Sequence, residues 1–177
     1  MKKTSILLVL PLFLITTVFP SCKRKCASSE GAGTDIWLGK THVIAPSAFT
    51  PNNKDNINDT YSFGIVYPAS AMGESQISAI TVKDFRMEIS KPGELLFETF
   101  TWGGTWNGES KSGKKVDGLV DVKYSISDYD SHVSEGSFKL FVVPAGCLEE
   151  CMQKHIFGDM INPNEGVMNT TKESFCH

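Results

Sequence analysis

No apolar run in this chain of 177 residues reaches the ~20 that a helix needs to cross a bilayer. The longest, Ile6 to Phe19, spans 14 residues and is interrupted by Pro11, Thr16 and Thr17. Basic residues are too few and too dispersed for a nucleic-acid interface: 17 Lys and Arg stand against 20 Asp and Glu, with no basic stripe. Histidine is scarce, at 4 residues. Asp128, Asp130 and His132 alternate, yet no nucleophile, second histidine or Gly-rich phosphate loop accompanies them, so they read as polar residues of a hairpin loop. There is no sequence repeat, and no helix-period segment precedes Pro144. These absences argue against a spanning helix, a nucleic-acid partner and an enzyme.

What is present begins with a secretory pattern. Lys2 and Lys3 form a charged start, the 14-residue run supplies the apolar region, and Val18-Phe19-Pro20-Ser21-Cys22 closes it with a small residue before a cysteine. That ending resembles the lipobox of bacterial lipoproteins, which implies lipidation at Cys22 and a signal peptide over 1–21. Each buried acyl CH₂ adds ~0.8 kcal/mol, so several chains hold a protein to a membrane without any span. Cleavage leaves 156 residues with 15 basic and 20 acidic groups, a net charge of −5. Lys23-Arg24-Lys25 reads as a solvated tether, and the lack of acidic residues directly after Cys22 favours a periplasm-facing protein over a surface-exposed one. Residues 22–35, small and Gly-rich, are expected to form a flexible linker.

From Ile36 the texture changes to short apolar runs separated by Gly, Pro, Asn and Asp clusters, the all-β pattern. Strands are expected at Thr41–Ile44, Tyr61–Val66, Ile80–Ile89, Leu95–Thr99, Val120–Ser127 and Ser137–Val143. Phe85, Met87 and Ile89 alternate with Arg86, Glu88 and Ser90, as a half-buried strand requires. Lys91-Pro92-Gly93-Glu94 has turn chemistry, so 85–99 reads as a hairpin, and 128–136 as a second, longer hairpin loop. The block 36–143 is expected to be an antiparallel, Ig-like two-sheet β-sandwich. After it, Cys147 to Phe157 is rich in helix formers, which predicts a short helix in a Cys- and His-containing tail over 144–177.

Three segments of the β block carry a family resemblance. The first is Ala48-Phe49-Thr50-Pro51-Asn52-Asn53-Lys54-Asp55-Asn56-Ile57-Asn58-Asp59-Thr60-Tyr61. The second is Phe85-Arg86-Met87-Glu88-Ile89 leading into Gly93-Glu94-Leu95-Leu96-Phe97-Glu98-Thr99. The third is Trp106-Asn107-Gly108, then Val116-Asp117-Gly118 and Val122-Lys123-Tyr124-Ser125-Ile126. In this order they resemble the gliding motility-associated C-terminal domain of Bacteroidota, also called the type B sorting domain of type IX secretion cargo. The resemblance implies the sandwich fold and places Trp106 in its core. Lys54 is an insertion relative to the family pattern, Asn56 stands where the family has Gly, and Lys91-Pro92 replaces Arg-Trp. The family domain closes its chain, whereas 34 residues follow Val143 here. The resemblance therefore implies the fold rather than the sorting role.

Two clusters remain as candidate sites. Asn52 to Asp59 is dense in side-chain oxygens, and Asn53, Asp55 and Asp59 with the Ile57 carbonyl offer four ligands of the kind Ca²⁺ takes. The competing reading is that these side chains bond their own backbone and shape a turn. With Cys22 lipidated, Cys26, Cys147, Cys151 and Cys176 are left, an even number in an oxidising compartment, and they are disulfide candidates with three possible pairings. Cys147, Cys151 and His155 recur at helical spacing, so a zinc site with Cys176 and His177 is the sharper alternative. Beyond the possible Ca²⁺ no cofactor is expected. The expected partners are the membrane, through the lipid, and a protein of the secretion, gliding or outer-membrane assembly machinery. Surface adhesion or carbohydrate binding, and metal binding by the Cys/His cluster, are the alternatives.

Overall fold

The computed structural model describes residues 34–39, 41–52, 56–66, 82–144, 157–158, 161–162 and 166–167. The chain is β-rich, and the described residues form ten strands and no α-helix. The strands are β1 (Thr34–Leu38), β2 (Thr41–Ala45), β3 (Ala48–Phe49), β4 (Gly64–Val66), β5 (Val82–Lys91), β6 (Glu94–Thr99), β7 (Gly118–Asp128), β8 (Val133–Val142), β9 (Ile161–Asn162) and β10 (Gly166–Val167). They make a three-stranded sheet in the order β1-β2-β4, a five-stranded sheet β3-β8-β7-β5-β6, and the small β9-β10 pair.

Period-two alternation decides which residues face inward. On β5, Phe85, Met87 and Ile89 are buried while Arg86 stays exposed and Glu88 half-covered. On β7, Val120, Val122 and Ile126 do the same, and on β1 Ile36 and Leu38 are buried between exposed Asp35 and Trp37. Inward residues of both larger sheets join one apolar cluster: Ile36, Leu38 and Val43 from the smaller, Met87, Val122 and Leu140 among those from the larger. Burying such a side chain contributes roughly 1.5–3 kcal/mol relative to leaving it in water. The outer face of the five-stranded sheet carries charge instead. Lys139 pairs with Asp121 across β7 and β8, and Arg86 with Glu88 and Glu98.

An aromatic chain runs through the cluster. Ring centroids lie 5.3 Å apart for Phe49–Trp106, 5.6 Å for Phe49–Tyr61, 5.6 Å for Phe63–Phe85 and 5.2 Å for Phe85–Trp102. Each such pair adds about 0.5–1.5 kcal/mol beyond area burial. Tyr61 is buried and donates its hydroxyl to the Pro46 carbonyl at 3.1 Å, and burial pushes its phenol well above the ordinary value, so it stays protonated.

Several boundaries differ from those expected of the sequence. β1 begins at Thr34, inside the 22–35 stretch read as linker, because its first residues pair with Ile44 and Ala45. The strand expected over Tyr61–Val66 is regular only at 64–66, since Tyr61 instead bridges to Trp106. The long loop expected over 128–136 is a tight turn, because β8 starts at Val133 opposite Ser127. Ser131, with φ of 68°, and Asp128, which accepts the His132 backbone N–H at 2.9 Å, close it in few residues. Short β3 was not anticipated. It runs parallel to β8, Ala48 beside Phe141, an arrangement that local pattern cannot reveal. The helix expected over 147–157 falls almost wholly outside the described residues, of which Phe157 is buried.

Candidate functional site

The loop after β3 is held by backbone demands. Thr50 N–H donates to the Asn58 carbonyl at 2.9 Å, and its hydroxyl donates to the Ile57 carbonyl at 3.2 Å. Asn56 and Asn58 adopt φ of 66° and 51°, a left-handed conformation that Asn tolerates better than most residues. Asn52 reaches across to the Val143 carbonyl at 3.4 Å. Asp59 accepts the Asn56 N–H on Oδ2 at 2.9 Å, whereas its Oδ1 is buried and has no hydrogen-bond partner among the described residues. A buried carboxylate oxygen left bare costs roughly 1–3 kcal/mol or more, so its environment calls for a donor or a cation. Of the three side chains expected to ligate Ca²⁺, Asp59 is thus placed with an open lone pair, while Asn53 and Asp55 lie outside the described residues. So do Cys22, Cys26, Cys147, Cys151 and Cys176.

The residues around Trp106 lock onto this loop. Trp106 and Tyr61 exchange backbone hydrogen bonds at 2.8 and 3.0 Å, and the indole N–H donates to the Glu109 carbonyl at 2.7 Å. Gly108, at φ of 78°, passes so close to Pro51 that a Cβ there would stand 2.5 Å from the proline Cγ. The Phe49–Pro51 and Trp106–Gly108 segments are therefore one packed unit, far apart in sequence and interlocked in space. Their role here is architectural.

Asp128, Asp130 and His132 offer ligand atoms within 4.8 Å of one another in the β7–β8 turn. The Asp128 carboxylate is already engaged. Oδ1 accepts the His132 backbone N–H, and Oδ2 lies 2.8 Å from His132 Nδ1. Partial desolvation raises the Asp128 pKa. The hydrogen bonds from His132, its charge and a backbone hydrogen bond from Asp130 outweigh that and hold the carboxyl below its ordinary value. This geometry closes the β7–β8 turn.

The surface is more informative. β6 is the terminal strand of the five-stranded sheet, and Phe100 directly after it is 65% exposed. Arg86, whose guanidinium carbon lies 5.5 Å from the Phe100 ring centroid, also donates to Glu98 at 3.0 and 3.2 Å. A shallow groove lined by Arg86, Glu88, Lys123, Ser125, Glu135 and Ser137 continues across the same sheet. Sequence reasoning missed Phe100 and Trp37. The period-two context of Asp35-Ile36-Trp37-Leu38 was the available signal for Trp37, and nothing local marked Phe100. No protein-family model, curated protein or solved structure matches this chain. No described helix is long and apolar enough to cross a membrane.

Proposed function

We propose that this chain is a non-catalytic lipoprotein of the outer membrane, anchored through Cys22 and facing the periplasm, whose β-rich body docks a protein of the cell envelope. The apolar cluster shared by the three- and five-stranded sheets supports reading that body as an Ig-like sandwich. The resemblance to the gliding motility-associated domain supports a partner in the secretion, gliding or outer-membrane assembly machinery. The observation that carries the docking role is Phe100, exposed at the end of a terminal strand with Arg86 against it. Aromatic and arginine side chains dominate interface energetics.

Co-purification from native membranes tests this. A defined partner should be recovered with the wild-type chain and lost with Phe100→Ser and Arg86→Ala, which leave the apolar cluster intact. Recovery of the same proteins by all three forms overturns the assignment of the surface. Cys22→Ser should move the chain to the soluble fraction, and its release by protease treatment of intact cells would overturn the periplasmic orientation. A second reading, a hard cation such as Ca²⁺ beside Asp59, is favoured by that residue's buried, unpartnered Oδ1.

A further inference from the structure

Trp37 has no role in the fold that its burial would explain. Its neighbours on β1, Ile36 and Leu38, enter the core, while Trp37 faces outward and is 61% exposed. One face of the ring is covered across the sheet by His42, and the rest stays in water.

The ring is nevertheless held in place. Trp37 sits opposite His42 in the β1–β2 register, and the two rings stack with centroids 4.5 Å apart and planes 4° from parallel. His42 Nε2 in turn lies 2.9 Å from Asp35 Oδ1, so the carboxylate orients the imidazole and the imidazole backs the indole. The three side chains form a pre-organised stack with one indole face against His42 and the remainder toward solvent.

Gly39, two residues after Trp37, is packed so closely against the His132 ring that an added Cβ would lie 2.7 Å from it. This contact brings the β7–β8 turn, with Asp128, Asp130 and the 67% exposed Tyr129, to the same end of the molecule. That end of the molecule thus carries the indole of Trp37, the phenol of Tyr129, two imidazoles and the carboxylates of Asp35, Asp128 and Asp130.

We propose that Trp37, backed by His42 and Asp35, is the stacking platform of a binding site for a neutral pyranose saccharide. The C–H face of a pyranose is apolar and flat enough to lie on an indole. Its hydroxyls are donors, and a carboxylate is an acceptor-only group that suits them. The acidic setting, Asp35 beside the ring and Asp128 and Asp130 across Gly39, opposes anionic glycans and anionic lipid headgroups. A protein or membrane contact is disfavoured because the exposed apolar groups, Trp37, Tyr129 and Val133, stand among Asp35, Asp128 and Asp130. Rigidity lowers the ordering cost of binding, which the stack on His42 supplies in advance. Trp37 and His42 lie on a different sheet from Phe100, and the outcome at either leaves the other undecided.

The test is affinity electrophoresis of the soluble chain in gels containing a neutral β-glucan, an α-glucan, a mannan or, as a charged control, a polyuronate. At least one neutral glycan should retard the wild type. Trp37→Ala should weaken that retardation by tenfold or more with an unchanged Tm, Trp37→Phe should restore part of it, and Asp35→Asn should weaken it several-fold. Absence of retardation in every neutral glycan, or equal retardation of Trp37→Ala, overturns the proposal. So does retardation confined to the polyuronate, or Trp37-dependent binding to phosphatidylglycerol-containing vesicles instead of glycan.

Discussion

Beyond the apolar cluster, some side chains hold the loop after β3 and others face solvent. Trp106 is the largest of the first kind, buried between Phe49 and the Tyr61 bridge. Its indole hydrogen bond to Glu109 is worth only about 1 kcal/mol, whereas the void left by truncation costs about 3–5 kcal/mol. Trp106→Ala should therefore lower unfolding stability by the larger amount and Trp106→Phe by well under half of it, as read by urea denaturation. Asp59 poses a different test. If a hard cation satisfies its buried Oδ1, millimolar Ca²⁺ should raise the Tm of the wild type and leave Asp59→Ala unmoved, since a ligand at about 100 times its Kd stabilises by ~2.7 kcal/mol. An unchanged wild-type Tm would leave Asn56, Asn58 and Asp59 as turn-forming residues only. Asp128 adds a pH signature. Its folded pKa lies below the ordinary value of 3.8, so its contribution is present above that value and is lost as pH falls through the folded pKa. The stability difference between wild type and Asp128→Asn should accordingly be full at neutral pH and shrink below pH 3.8, measured by denaturation across an acid series.

Elements show how far local pattern reaches. The β5–β6 hairpin was legible because alternation of Phe85, Met87 and Ile89 meets the Pro92-Gly93 turn, where Gly93 takes φ of 78°. β7 and the end of β8 were legible for the same reason. The parallel placement of β3 beside β8, the Tyr61–Trp106 bridge and the start of β8 at Val133 were not, because each depends on a partner distant in sequence or on turn capping. At the sites, Asp59 was visible as one acid in a polar loop, but its bare Oδ1 is set by tertiary burial, and Phe100 owes its prominence to the sheet order. The contact between the β1–β2 and β7–β8 turns belongs to this scale and is open to measurement. Gly39 has φ of 62° and touches the His132 ring, so Gly39→Ala meets both a backbone penalty and a clash. In a double-mutant cycle His132→Ala should relieve the clash and leave the backbone penalty of ~1 kcal/mol. Strict additivity of the two single variants would show that the turns do not press on each other.

At the scale of the whole molecule the decisive question is whether the chain after Val143 belongs to the β-rich body. Phe157 is fully buried, and Gly158 approaches Asn58 so closely that a Cβ would stand 2.9 Å from its Oδ1. β9 also comes near β4, the terminal strand of the three-stranded sheet. Gly158 is thus seated against the loop that carries Asp59, and Phe157 occupies a place that truncation would empty. Removing a buried Phe costs about 3–5 kcal/mol, a large share of the roughly 5–15 kcal/mol by which domains are stable. For a chain of this size each kcal/mol shifts Tm by about 2–4 °C. Phe157→Ala should therefore lower Tm by on the order of 10 °C, and a chain ending at Pro144 should fall at least as far. The variants separate packing from mere length, because Phe157→Leu keeps most of the buried volume and should lie between wild type and Phe157→Ala. A Tm unaffected by Phe157→Ala, read by calorimetry on the full chain, would mean that the β-rich body closes without the later segment. The loop around Asn58 would then be held without Phe157, by contacts such as those of Thr50, Asn56, Asp59 and the Trp106 segment.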